Sequence, residues 1–567
     1  MADTEDNKNG SFLIVILLAV IAIASNLYER RFEILYNAAQ VADSLMFTGW
    51  VVVLSLVYLR LKTTHKAMTK ERQQLLRLKA LEDRKQARLQ DAERGDDDGN
   101  EGLGKPGPRP SSGAVGTEFA VLPPPPVQSR EIEVGSRLSD GKVIKLSDQK
   151  RLGQVHIPGA TGRGKTESVI LPWMVQDFFR GKSVLLIDGK GDPDLVQRFC
   201  READVFPESA GIFVFDPMNP KSCTINPLAS GSPQQITDRI VSSFQFEDPY
   251  YKSVQADAVL TAVSLIHESG SEVTYIGIER ALTDMDQLSE LVNGSSDERI
   301  KVRGRSLIKQ KEETRGQNLS GILTQLAPFT TGEIGRLVNG DETTPGRKVI
   351  SLHRTLVENP NQRTATLILL PTLVYQDVGR ALGKMILQEL AYCVGMRASK
   401  AERTFPFIPV FLDEFSSFAY AGFEQILNKA RSSGVALHLS HQSMGDLESV
   451  SPQFAKIVNT NSNVKCLLGL NDPDTAEFFA RHLGTETTEK FTERVEEREG
   501  FFSKKEEKTG MKSMRETESY KVHPNILKSL TSGKGVLHVP TEYGSVTEEI
   551  QFHTVFDLKP ELLGRVS

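Results

Sequence analysis

Residues 159–166 read GATGRGKT, which meets the pattern G-x-x-x-x-G-K-[ST] through Gly159, Gly164, Lys165 and Thr166. The motif demands a strand, a tight glycine turn and a helix in that order, and so fixes the local architecture. Its glycines let the backbone N–H groups of Gly159, Ala160, Thr161, Gly162, Arg163 and Gly164 turn inward around phosphates. The positive end of the following helix faces the same way. Lys165 is placed to reach the β- and γ-phosphates, and the Thr166 hydroxyl to ligate Mg²⁺. ATP with Mg²⁺ is the expected ligand pair.

The flanking residues supply the strand and the helix. Short β-rich runs at 131–134 and 142–146 precede a strand at 153–157, and a helix begins near Lys165, with Pro172 expected to kink it. Apolar runs at 183–187 and 211–215 end in Asp188 and Asp216, and a further strand is read at 365–370 before a helix around 378–394. Strands alternating with helices imply a parallel-rich central sheet covered on both faces, with ligands at the carboxyl ends of its strands. Asp188 and Lys190 in LLIDGKGD sit at such an end and suit either a catalytic or a turn-forming role.

A second acid site follows. Ile408–Leu412 runs apolar into Asp413 and Glu414. In nucleoside triphosphatases this geometry aims the first acid at the Mg²⁺ shell and lets the second act as general base on the attacking water. A helix over 423–432 carries Arg431 near its end, and strand 435–439 ends in SHQS. Gln442 there is placed either to sense the γ-phosphate or to serve as a loop amide. Arg431 is either a finger for a neighbouring subunit's nucleotide or a surface charge. His438 and His441 lack partners at metal-ligand spacing and read as structural.

The alternation breaks over 232–346, where helical spacing dominates; this is read as an all-α insertion. The motor is then 131–231 plus 347–567. Over 486–520 the charges are mixed, as in either a strand pair or a solvated loop.

The N-terminal part is of another kind. Residues 11–28 and 42–59 are two apolar stretches of membrane-spanning length. Ten Lys/Arg crowd the segment from Arg60 to Arg88 against Glu71, Glu82 and Asp83, which places that side in the cytoplasm. Two transmembrane helices (1–60) with both termini cytoplasmic follow, then a basic stalk and a Pro/Gly-rich linker (61–130). The stalk is either a solvated helix or a contact for anionic lipid headgroups. Net charge is −5 over 567 residues, so the total shows no basic bias towards nucleic acid, although a local basic channel is compatible with it. Cys200, Cys223, Cys393 and Cys466 are widely spaced, which suits a reducing cytosol.

In order, GATGRGKT, LLIDGKGD, FIPVFLDEF, HLSHQS and VKCLLGLNDPDTAEFFARHLG resemble the type IV secretion coupling proteins. These are TraD/TraG-like conjugative ATPases within the FtsK/HerA group. The resemblance implies an α/β, RecA-like P-loop motor with an inserted all-α domain, anchored in the bacterial inner membrane. It implies a homo-hexamer that receives relaxase or relaxosome proteins and passes single-stranded DNA to type IV secretion channel components. It carries Lys165 and Thr166 over as phosphate and Mg²⁺ ligands, Asp413 as the Mg²⁺-shell acid, Glu414 as base and Gln442 as γ-phosphate sensor, with Arg431 at a basic position after the acid pair. Two other readings stay open: a docking platform that uses ATP for assembly, and an FtsK-like double-strand DNA pump.

Overall fold

The computed structural model describes residues 129–558 apart from 203–210, 341–345, 401–404 and 501–502, and of 488–517 the backbone alone. The two N-terminal apolar stretches, the basic stalk and most of the linker lie outside the described residues. Among the described residues no helix is long and apolar enough to cross a membrane.

The described strands are β1 Glu131–Arg137, β2 Val143–Ser147, β3 Val155–Pro158, β4 Val184–Asp188, β5 Ile212–Phe215, β6 Thr224–Ile225, β7 Val349–Ile350, β8 Ala365–Leu369, β9 Ile408–Asp413, β10 Val435–His441, β11 Val464–Leu467, β12 Thr485–Gly500, β13 Ser503–Tyr520, β14 Lys534–Thr541 and β15 Gly544–Phe552. Eleven form one sheet in the order β2-β1-β15-β14-β11-β3-β10-β9-β4-β8-β5. From β11 to β5 every neighbour pair is parallel. The other end is an antiparallel extension that joins through β11 and β14.

The parallel strands are near-continuous apolar runs because both sheet faces are covered. VLLID and ATLIL are buried at every position. Alternate side chains enter opposite cores. Leu185, Ile187, Val410 and Leu412 point into one, while Leu186 and Phe411 point into the other with Trp173, Phe178 and Phe199. Pro409 is tolerated in a central strand because pairing with β4 starts one residue later, at Val410.

The helical run from Lys165 to Phe179 changes character at Pro172. A π-helical turn, Lys165–Ile170, passes directly into the α-helix Leu171–Phe179, and the proline at the join has no N–H to continue the α-helical ladder.

Between β6 and β7 the chain is helical, with its main helices at Pro233–Ser243, Pro249–Glu268, Tyr275–Thr283, Met285–Gly294, Glu298–Lys309 and Glu312–Thr330. Side-chain caps set most of their starts. Ser232 and Gln235 form a capping box, and Asp248, Thr274 and Asp297 each accept a first-turn N–H. The apolar spacing of 276–292 suggests one element, but Asp284 splits it. Its carboxylate accepts the N–H groups of Asp286 and Gln287 and starts a new helix. Among the described residues the insertion has no separate core: Val259, Tyr275 and Phe329 pack in the same cluster as Leu185 and Leu412.

The segment 486–520 is the strand pair. β12 and β13 pair antiparallel from Thr485–Tyr520 to Gly500–Ser503 and form a two-stranded sheet of their own.

Candidate functional site

The phosphate loop leaves β3, the central strand of the eleven-stranded sheet and the second of its parallel block. β10 and β9 come next in the sheet and deliver their last residues towards it, with β4 beyond them. Gly162 and Gly164 adopt positive φ, 76° and 92°, which only glycine takes readily. A Cβ at Gly164 would also lie 3.1 Å from the Gly533 nitrogen. The loop is fixed from outside. The Gly159 N–H donates to the His441 carbonyl (3.1 Å), and the Ala160 N–H to the Gly469 carbonyl (2.9 Å). Arg163 turns away from the loop interior and donates to the Leu530 carbonyl and to Asn471 Oδ1. Thr161 and Gly162 form the exposed tip.

Inside the loop, Lys165 is 6% exposed and its Nζ donates to the Gly159 carbonyl at 2.6 Å. The same ammonium lies 3.9 Å from Glu414 Oε1. Thr166 Oγ1 donates to Asp413 Oδ2 at 3.0 Å. Asp413 Oδ1 accepts from Ser440 Oγ (2.7 Å) and from the Glu414 N–H (3.0 Å). Gln442 Nε2 reaches the Glu414 carboxylate at 3.3 and 3.4 Å. Lys165, Thr166, Asp413, Glu414 and Gln442 therefore converge on one place, although 276 sequence positions separate Thr166 from Gln442.

Glu414 has φ 47° and ψ 44°, a left-handed conformation that a non-glycine residue holds at a cost of about 1–2 kcal/mol. Burial raises its carboxyl above the ordinary glutamate range. Lys165 opposes that shift, Asp413 adds to it, and the bond from Gln442 reduces it. Asp188, whose strand places it level with Asp413, is pushed up to about 7 by burial and by the neighbouring Asp413 carboxylate. Its oxygens accept the N–H groups of Lys190 and Asp192 at 2.8 Å each, so this carboxylate closes the GKGD turn. Asp216 likewise accepts from the Met218 N–H in its own turn, away from the loop.

Arg431 is not part of this group. It is exposed at the last turn of the helix Glu424–Ser432, which enters β10 at its amino end, while Gln442 follows the carboxyl end. The strand between them spans roughly 20 Å at about 3.3 Å per residue. His438 is structural: Nδ1–H donates to the Val410 carbonyl, Nε2 accepts from Arg151, and the ring stacks on Phe411.

Sequence reasoning assigns no role to Ser440, Gly469 or Gly533. Ser440 lies in the SHQS run, and its period-2 relation to Gln442 is the one available signal. Gly469 and Gly533 support the loop through contacts between distant segments.

The donor chemistry fits a magnesium nucleotide. A hydroxyl and a carboxylate supply hard oxygen ligands, the set Mg²⁺ prefers. The backbone cradle lacks side chains where Gly159, Gly162 and Gly164 stand, and a buried ammonium lies at its mouth.

A family model described as the TraM recognition site of TraD and TraG matches residues 408–526. The type 4 coupling protein DotL of Legionella pneumophila subsp. pneumophila is 24% identical over 406 residues, covering 62% of this chain and 51% of DotL. The chain thus spans about half the length of that curated relative. Among solved structures, the bacterial conjugative coupling protein TrwB in its unbound monoclinic form superimposes with a TM-score of 0.55 at 14% identity, covering 79% of this chain and 99% of the other. TrwB in complex with the non-hydrolysable ATP analogue ADPNP gives 0.51 at 16% identity, with 78% and 98% covered. The resemblance to type IV coupling proteins therefore holds in sequence and in fold.

Proposed function

We propose that this chain is a membrane-anchored, ATP-hydrolysing coupling protein of a type IV secretion system, which recruits a relaxase–DNA complex and drives single-stranded DNA into the secretion channel. One observation carries the reading: Thr166 Oγ1 lies 3.0 Å from Asp413 Oδ2, with Lys165, Glu414 and Gln442 gathered at the same strand ends. Thr166 and Asp413 are the residues to hold Mg²⁺, which when bound neutralises charge on the phosphate oxygens. The loop backbone beyond Ala160, through Gly164, and the Lys165 ammonium bind the phosphates, while the Gly159 and Ala160 N–H groups are taken by the His441 and Gly469 carbonyls and hold the loop in place. Glu414 accepts a proton from the attacking water, and its raised proton affinity suits that role. Gln442 orients Glu414 and the water. Arg431 acts on the nucleotide of a neighbouring copy in a homo-hexamer.

The likeness to coupling proteins supports the partners. The matched stretch 408–526 contains the β12–β13 hairpin and is named for recognition of TraM in TraD and TraG. A relaxosome protein is the proposed occupant of that surface here. The N-terminal apolar stretches and the basic segment after them support a multi-pass inner-membrane anchor near anionic lipid, with the motor and both termini cytoplasmic.

The test is ATP hydrolysis by the full chain, with and without single-stranded and duplex DNA, beside Lys165→Ala and Glu414→Gln. Stimulation by single strands that both substitutions abolish supports the pump. Hydrolysis unaffected by either substitution rejects the site. Equal stimulation by duplex favours the double-strand motor. Hydrolysis indifferent to DNA, with plasmid transfer lost in both variants, favours the docking platform.

A further inference from the structure

Two buried imidazoles lie beneath the phosphate loop and take no part in the chemistry above. His156 is in β3, three residues before Gly159, and His441 ends β10, immediately before Gln442. Both are fully buried. Their Nε2 atoms are 2.5 Å apart, with ring centroids at 4.8 Å.

The protons in this contact are determined by the neighbours. His441 Nδ1 lies 2.8 Å from the Ser443 carbonyl, which only accepts, so Nδ1 carries the hydrogen. Burial pushes His441 down to about 4 and His156 well below its ordinary range, so both rings are neutral near pH 7. Nε2 of His441 is then a bare lone pair, and His156 Nε2–H must donate to it. His156 Nδ1 makes no hydrogen bond of ordinary geometry, and the Asn459 side chain is the other polar group at the ring. This tautomer makes Nδ1 an acceptor, which suits an Asn459 amide turned with its N–H towards the ring.

The bond ties the strand that launches the loop to the strand that launches the sensor. A backbone bond, Gly159 N–H to the His441 carbonyl, runs parallel to it. Ser443, held through its carbonyl, lies directly after Gln442. We infer that the His156–His441 pair is a positioning brace that sets the separation of the phosphate loop from Gln442, and through Gln442 the aim of Glu414. It rests on the hydrolytic reading of the site. Because Gln442 meets Glu414 and not the loop backbone, the brace governs turnover and leaves nucleotide affinity nearly unchanged.

Amide side chains separate this role from mere packing. Glutamine places a donor where Nε2 stands, and asparagine one where Nδ1 stands. The full chain is assayed for kcat and KM for ATP and for binding of a fluorescent ATP analogue. His156→Leu removes the donor and lowers kcat about 10- to 100-fold, the scale of a misplacement near 1 Å, with affinity within about threefold. His156→Gln restores turnover to within about threefold of wild type. His441→Asn keeps the bond to Ser443, loses the Nε2 acceptor, and matches His156→Leu; combining it with His156→Leu adds little further loss. Should His156→Leu fail to fold, His441→Asn and His156→Gln carry the test. Wild-type kcat in folded His441→Asn, or turnover lost in folded His156→Gln, overturns the brace. A wild-type chain that hydrolyses no ATP would instead bring down the hydrolytic reading.

Discussion

Glu414 combines a left-handed backbone with a half-buried carboxylate, and the two properties are separable by substitution. Glycine at 414 takes φ 47° without strain, so Glu414→Gly should leave the unfolding midpoint unchanged or raise stability by up to about 1 kcal/mol, while hydrolysis falls by about 10²–10⁴. Chemical denaturation beside an ATPase assay reads both, and a clearly destabilised Glu414→Gly would remove strain from the account. Ser440 makes a different kind of contribution, as a partner of Asp413 Oδ1. Ser440→Ala should raise the Mg²⁺ concentration for half-maximal activity about 10-fold, the usual scale for loss of such an outer hydrogen bond, with the fold intact. Asp177, remote from the chemistry, is wholly buried and accepts from Arg151 at 2.8 and 2.6 Å and also from Arg180. Burial opposes its ionisation, but the two guanidinium groups prevail and hold it at about 2. A depressed carboxyl contributes stability above its unfolded value near 4, and that contribution is lost as pH falls from about 4 to 2. Asp177→Asn should cost about 3–5 kcal/mol at pH 7 by leaving buried guanidinium charge unpaired, and this deficit should shrink over the same acid window in denaturant titrations.

At the scale of elements, the β12–β13 hairpin pairs only with itself, and its base is closed by the Lys521 N–H to the Gly484 carbonyl at 3.0 Å. Replacing residues 487–518 with an Asn-Gly turn should therefore leave the main sheet and basal ATP hydrolysis intact, with a melting shift of a few degrees, since loop closure depends weakly on length. Capture of a relaxosome protein is the property expected to disappear, measurable by co-purification from donor cells. Collapse of ATPase activity in that variant would show the hairpin to be part of the motor. This element also marks where the sequence stops being legible. The parallel strands declare themselves because burial on both faces demands apolar runs, and β9 adds two acids at its end. In 486–520 the charges are mixed on both strands, so neither period nor burial separates a hairpin from a loop. Asp284 is hard to read for another reason: an apolar stripe can continue across a cap, and only the carboxylate's bonds to two N–H groups show the break. Motif spacing brings the phosphate loop and the acid pair into view. It gives no access to the register of β10 against β3 and β9, and that register puts Ser440 on Asp413, Gln442 on Glu414 and His441 on His156.

For the molecule as a whole, the helical insertion shares the core on one face of the motor's sheet, and cooperativity follows from that. Phe329, in the helix Glu312–Thr330, stacks on Tyr275 at 5.0 Å and packs in the cluster that contains Leu185, Ile187 and Leu412 from the sheet. Segments with separate cores melt separately, whereas a common core couples them. Phe329→Ala removes a ring that is 1% exposed and should cost about 3–5 kcal/mol. The two ends of the coupling can be followed by different probes. Trp173 is fully buried in the motor's other core, across the sheet from Phe329, and the chain's other tryptophan is Trp50, so a Trp50→Phe background isolates it. Far-UV circular dichroism at 222 nm (the helix band) reads the insertion together with motor helices such as Thr372–Ser399, so separate melting of the insertion would appear as a partial step. Thermal unfolding followed by both should superimpose, and Phe329→Ala should lower both midpoints together. If the dichroism midpoint fell alone while Trp173 kept its environment, the insertion would be an independent unit resting on the motor. A shared transition means that a ligand held by the insertion strains the same packing that supports Asp413 and Gln442. Binding at one end would then bias the catalytic geometry at the other with no hinge between them.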